Sequence, residues 1–241
     1  MELTVLGRSG GFPMPGEATS GYLLRHGDTA VLIDCGSGVL SNLFRCVPVM
    51  GLSALVLSHL HSDHQADVSV LKYALNMTRR SGTPVADLPV YLPAQPESMV
   101  PTGDGVLDLR FYEDGDRFEI GGIDVTCIAG DHPVPSFGMR FACEGKVLAY
   151  TGDTRLCPNV SRMLQGADLA VMDAGGLERL RSEPMVHMTA LECAQTARSA
   201  GVRRTLLSHL VPYQPMEETL REARGGYGMV ELALPMETYP V

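Results

Sequence analysis

No stretch of this chain approaches the roughly 20 apolar residues that a membrane-spanning helix needs, although hydrophobic residues make up 45% of its 241 positions. The apolar content therefore points to a sizeable buried core. The opening residues, MELTVLGRSGG, carry an acid at position 2 and no long apolar segment. No export signal is expected there, and the cytoplasm is the expected compartment. The six cysteines, Cys35, Cys46, Cys127, Cys143, Cys157 and Cys193, never stand as C-x-x-C. A cysteine zinc site or a disulfide framework is not expected, and reduced core residues are. Basic residues are in the minority, and the net charge is −9 at pH 7. That argues against broad nucleic-acid binding, but not against an anionic substrate, because bound cations would reverse the local field. Linkers, low-complexity tracts and short-period repeats are also missing, so one domain over residues 1–241 is expected.

What is present is a mixture of strand and helix signals. Leu3–Leu6 alternates as a strand. Gly21–Arg25 and Ala30–Asp34 flank His26-Gly27-Asp28 and predict a hairpin. Ala54–Leu57 is a short apolar run of the kind that forms a buried strand. Residues 67–80 have helical spacing, with Val68, Leu71, Leu75 and Tyr73 facing inward. Strands are expected again at 89–92, 107–112, 116–120, 123–129, 138–143, 147–151, 169–173 and 205–208. Short helices are expected at 37–46 and 160–165. Thr189 with Glu192 three residues on forms a capping-box pattern ahead of a helix to Ala200, which Gly201 stops. A last helix is expected over 216–224.

Three of the seven histidines and an aspartate crowd into residues 58–64, SHLHSDH. His59 and His61 are two apart, which puts them on one face of a strand end. Asp63 and His64 follow on the turn into the next helix. Imidazole and carboxylate donors suit zinc, and also manganese or iron. His132 in GDHPVPSFG, Asp153 in YTGDTR, His187 in VHMT and His209 in LLSHLVPY each end an apolar strand or open a helix. Such strand ends are where α/β folds gather their sites. His26 is left as an exposed turn residue.

This order, H-x-H-x-D-H followed by His132, Asp153 and His209, resembles the metallo-β-lactamase fold from the first strand to about Pro212. DHPVPSFGMRF, TGDTR and HMT are similar to segments of its RNase Z-like branch. The resemblance implies an α/β, four-layer αββα sandwich with two divalent metal ions at one edge of its paired sheets. Zinc is the first expectation, with Mn2+ or Fe2+ as alternatives. It implies that His59, His61, His132 and Asp153 hold one ion. Asp63, His64, Asp153 and His209 would hold the other, with Asp153 bridging. His61 stands where the flavodiiron branch has a glutamate, which argues against redox iron chemistry. His187 matches a histidine that acts beside the metals as an acid or phosphate contact. Long RNase Z enzymes insert a substrate-gripping arm between the His132 and Asp153 equivalents. Here the two are 21 positions apart, which leaves no room for it. Where those enzymes read His-Glu-Ala-Thr, this chain reads Met172-Asp173-Ala174-Gly175, so it resembles an arm-less short form.

The expected chemistry is hydrolysis of a small phosphodiester or short nucleotide between paired ions. Asp63 would orient the attacking water, and His187 would protonate the leaving oxygen. Asp173 would orient a histidine from behind, or is equally a simple buried polar or capping residue. Ser136 and Thr189 are candidate phosphate contacts, and equally a turn residue and an N-cap. The loop GRSGGFPMPGEATSG offers backbone amides to substrate or is simply a surface loop. Lactone or thioester hydrolysis, RNA 3′-processing and a non-enzymatic sensor remain alternatives. Extended nucleic acid and membrane are not expected as partners, and a homodimer stays open.

Overall fold

The structure, a computed structural model, describes residues 1–94, 97–102, 105–181 and 184–241. Among the described residues, fourteen strands form two seven-stranded sheets. The first sheet has β1 (Glu2–Gly7), β2 (Gly21–His26) and β3 (Thr29–Ile33), then β4 (Ala54–Val56), β5 (Leu88–Pro93) and β6 (Leu107–Tyr112). The second has β7 (Arg117–Ile120), β8 (Ile123–Ala129) and β9 (Phe137–Cys143). It continues with β10 (Lys146–Tyr150), β11 (Leu169–Asp173), β12 (Arg204–Ser208) and β13 (Val230–Leu232). The last strand, β14 (Thr238–Pro240), returns to pair with β1. Spatial order is β14-β1-β2-β3-β4-β5-β6 in one sheet and β13-β12-β11-β10-β9-β8-β7 in the other.

Alternation along the strands builds three apolar layers. Leu3, Val5, Tyr22, Leu24, Val31 and Ile33 meet Val125, Met139, Phe141, Leu148 and Val171 between the sheets. The opposite face of the first sheet, with Leu23, Leu32 and Leu55, is covered by α1 (Val39–Leu43) and α3 (Val68–Arg80). The outer face of the second sheet, with Ala149, Ala170 and Leu207, is covered by α4 (Pro158–Leu164), α5 (Ala190–Ser199) and α6 (Met216–Gly226). The order of layers is helix, sheet, sheet, helix, as expected. β4 is buried along its whole length, as its unbroken apolar run requires.

Several expectations need correction. Tyr73 is exposed, since on α3 only Val68, Leu71 and Leu75 turn inward. β4 stops at Val56, so His59 and His61 lie beyond the strand, and a separate helical turn, α2 (Ser62–Gln65), carries Asp63 and His64. His26 closes β2 and is half-buried, with Nε2 3.9 Å from Glu144. β13 and β14 were not foreseen. The capping box at Thr189 is present, with both reciprocal bonds made. All six cysteines are free thiols. No helix among the described residues is long and apolar enough to cross a membrane.

Candidate metal centre

Pairing of β3 through β6, and of β10 through β13, is parallel within each sheet. Parallel strands end on one edge, and β8, antiparallel to β9 as β9 is to β10, runs the same way as β10, so the segments that follow β3, β4, β8, β10, β11 and β12 come out together. Those segments carry every residue singled out above as a ligand. Donor atoms of His59, His61, His132 and Asp153 lie within 4.8 Å of one another. So do those of Asp63, His64, Asp153 and His209, and those of Asp153, Asp173, His187 and His209. Asp153 belongs to all three groups.

The donor chemistry fits cations. His64 is fully buried, and its Nδ1–H donates to Asp34 Oδ2 at 2.8 Å. That leaves Nε2 without a hydrogen-bond partner, 3.3 Å from Asp153 Oδ1 and 3.5 Å from Asp63 Oδ2. His132 Nδ1–H donates to the Val186 carbonyl at 3.1 Å, which turns the Nε2 lone pair toward His61 Nδ1 at 3.2 Å. His59 Nε2 is 3.1 Å from that same His61 nitrogen. Imidazole nitrogens and carboxylate oxygens converging in a buried space suit a cation between them. Among the described residues no lysine or arginine makes an ion pair with Asp34, Asp63, Asp153 or Asp173. Their charged-group contacts are all histidines. The clusters are able to bind metal ions.

Electrostatics divide the imidazoles. Burial pushes His59 well below its ordinary pKa and lowers His61 and His132, keeping them neutral and ligand-ready. Against the same burial, Asp153 and Asp34 raise His64, and Asp153 and Asp173 bring His209 to about 10. Burial opposes ionisation of Asp63, yet the hydrogen bond from His209 and the nearby His64 imidazole hold its carboxyl below the usual range. Asp153 and Asp173 are lowered too, by neighbouring imidazoles that overcome burial.

Beside the clusters, His187 Nδ1 lies 2.8 Å from Asp173 Oδ2. The Thr154 and Gly175 amides donate to the same carboxylate, each at 3.0 Å. Asp173 therefore orients a histidine, as its position suggested, and it outweighs burial to raise the His187 pKa. Ser136 and Thr189 are drawn into the fold instead. Ser136 Oγ donates to the Asp153 carbonyl at 2.8 Å. Thr189 Oγ1 caps α5 and donates to Glu178 at 2.7 Å. Both are buried, so neither hydroxyl is free for phosphate.

Two features were missed from sequence. Asp34, fully buried, accepts from Ser58 N, Ser58 Oγ, His64 Nδ1 and Tyr150 OH at 2.6–2.8 Å. Its signal was the same as that of the residues found, an acid directly after an apolar strand. Secondly, the N-terminal loop packs on the site, with the Gly11 N–H 2.7 Å from Asp63 Oδ2.

An αββα sandwich with histidine and aspartate donors gathered at one sheet edge is the metallo-β-lactamase architecture. The chain belongs to the beta-lactamase superfamily, whose domain matches residues 29–210. It is 33% identical to the probable metallo-hydrolase YhfI of Bacillus subtilis, over 92% of this chain and 91% of that protein. The crystal structure of YhfI superposes with a TM-score of 0.93, covering 99% of this chain and 98% of the other, at 30% identity. Ribonuclease Z of Mycobacterium bovis is 29% identical, over 88% of this chain and 86% of its own length. A diphosphatase from the PhnP family shares the fold, with a TM-score of 0.75 at 20% identity, covering 100% of this chain and 97% of the other.

Proposed function

We propose that this metallo-hydrolase holds two divalent metal ions, zinc first, and hydrolyses a small phosphodiester or short nucleotide. One observation carries the reading. Two four-donor groups share Asp153, and a His187–Asp173 pair stands beside them. His59, His61, His132 and Asp153 would hold one ion, and Asp63, His64, Asp153 and His209 the other. When bound, such a pair supplies the Lewis acidity that phosphodiester hydrolysis needs.

The chain's own groups do the rest. Asp63, with Oδ2 fixed by the Gly11 amide, presents a carboxylate to accept a proton from the attacking water. His187 is held by Asp173 with its Nδ1 occupied, and its raised pKa keeps a proton available for the leaving oxygen. Two exposed aromatic side chains, Phe12 and Tyr213, sit on segments bonded to the site. Gly11 precedes Phe12, and Gln214, next to Tyr213, donates to the Gly175 carbonyl at 3.2 Å. A flat aryl or nucleobase group on the substrate suits that rim. The likeness to ribonuclease Z supports RNA processing as a second reading. Against it stand the short β9–β10 hairpin in place of an arm and a net charge of −9.

The test is hydrolysis of bis(p-nitrophenyl) phosphate by metal-quantified protein with and without chelator. Chelator-sensitive turnover with two ions per chain is expected. Two ions without turnover on this or any nucleotide diester would overturn the phosphodiesterase reading.

A further inference from the structure

The segment Arg8–Phe12 is not a loose surface loop. Its root is fixed by Arg8, which is buried, pairs with Glu17 at 2.8 Å and donates to the Ala233 carbonyl at 2.8 Å. From that root the backbone reaches the opposite sheet. Leu210 N donates to the Arg8 carbonyl at 2.8 Å, and Gly10 N donates to the Leu210 carbonyl at 3.0 Å. Both backbone groups of Leu210 are thus held by the loop. The residue before it, His209, has φ 53°, a left-handed conformation that a histidine adopts at a cost. One residue further on, the Gly11 amide meets Asp63 Oδ2 at 2.7 Å. His209 Nε2 approaches the same oxygen at 3.1 Å.

Glycine suits two consecutive positions for two different reasons. A Cβ on Gly10 would lie 2.7 Å from both the Nδ1 and the carbonyl oxygen of His209. Gly11 has open space around it but sits at φ +75°, which disfavours side chains, β-branched ones most. The loop touches the site because Gly10 leaves room for His209 and Gly11 takes a left-handed conformation that few side chains tolerate.

We propose that the Gly10-Gly11 segment is a positioning element for one of the two donor groups. It aims the Asp63 carboxylate and holds His209 in its left-handed conformation, while the group of His59, His61 and His132 does not depend on it. The inference rests on the two-ion reading above. It predicts that the two ions are held unequally when the loop is disturbed.

The test is titration of metal-free protein with Zn2+ by calorimetry, with circular dichroism and a thermal melt as the check on folding. Wild type should take up two ions. Gly10→Ala, which must push the loop from His209, should weaken one ion at least tenfold and leave the other within twofold. Gly11→Val should do the same through backbone strain alone, and it decides the matter if Gly10→Ala does not fold. Gly11→Asn keeps the amide and tolerates positive φ, so it should bind both ions as wild type does. Wild-type affinities in Gly10→Ala or Gly11→Val would overturn the proposal, as would equal weakening of both ions. A wild type that binds two ions yet hydrolyses no phosphodiester would refute the substrate reading and leave this one standing.

Discussion

Asp34 touches no substrate in the proposed reaction, yet its replacement should damage both fold and metal centre. In Asp34→Asn one carboxylate oxygen becomes an NH2 donor. At the Oδ1 position it would face the Ser58 N–H, now 2.7 Å away. At the Oδ2 position it would face Ser58 Oγ, Tyr150 OH and His64 Nδ1. The two hydroxyls can rotate to accept, whereas the Ser58 amide cannot. The amide oxygen therefore stays at Oδ1, facing the Ser58 N–H, and the NH2 at Oδ2 leaves the buried His64 Nδ1–H without its acceptor. An orphaned buried donor costs about 1–3 kcal/mol, and each bond that passes from a charged to a neutral acceptor loses about 1 kcal/mol more. The expected destabilisation is about 2–4 kcal/mol. His64 also loses the carboxylate that fixes its tautomer, an effect that costs about 10–100-fold in metal affinity. Urea denaturation of chelated protein reads the first number, and zinc titration reads the second. A variant within about 0.5 kcal/mol of wild type and with unchanged zinc affinity would refute the assignment of Asp34 as the group that orients His64.

Other outcomes follow from the same geometry. Asp63→Ala should fold normally and cut turnover by about 10²–10⁴, and unchanged turnover with metal retained would sink its proposed role. His187→Ala should lower kcat over the same range, with little change in KM, because only the leaving step uses it. Asp173→Asn should reproduce part of that loss, and wild-type activity in Asp173→Asn would contradict the pairing. Removing metal should lower the melting temperature. Ions at a thousandfold their dissociation constant contribute about 4 kcal/mol to stability, and a chelator that leaves the melt unmoved would exclude a metal built into the edge. Phe12→Ala should raise KM for a nucleotide diester about tenfold, in line with the 1–3 kcal/mol of stacking on one base, and leave the melt unchanged. An unaltered KM would remove Phe12 from the rim.

The ligand cluster was legible because its chemistry is local. SHLHSDH packs four donors into six positions, and His132, Asp153 and His209 each follow an apolar run that can be nothing but a strand. The helix over α5 announced itself through Thr189 and Glu192 for the same reason. Long-range facts were not legible. β14 is stabilised by β1, more than 230 residues away, and its own sequence, Thr-Tyr-Pro, carries almost no strand signal. Tyr73 lies at a position that helical spacing alone leaves ambiguous, and only the direction of the sheet beneath α3 decides that it faces water. Ser136 and Thr189 look like phosphate contacts until the Asp153 carbonyl and Glu178 are seen to occupy their hydroxyls. The glycine-rich loop gave no hint that its amide would meet a residue 52 positions on.

The two sheets also repeat one plan that the sequence does not display. Each has three antiparallel steps followed by three parallel ones, with β14 supplying to the first sheet what β7 supplies to the second. Each parallel set must turn sharply where it reaches the shared edge if its side chains are to aim across the gap. Left-handed residues make those turns, at Asp34 after β3, Gly152 after β10 and His209 after β12. Glycine would be the unstrained choice at all three, as it is at Gly152. Of the four non-glycine residues with positive φ among the described residues, Glu144 heads the β9–β10 hairpin, where such angles are the usual solution, and Met236 lies in the turn before β14. Asp34 and His209 have no hairpin to explain them. Each costs of order 1 kcal/mol in backbone strain and supplies a side chain to the site that glycine lacks. Strain at these two strand ends, and at no ordinary strand end among the described residues, is what a fold selected for its donors rather than for its stability should show.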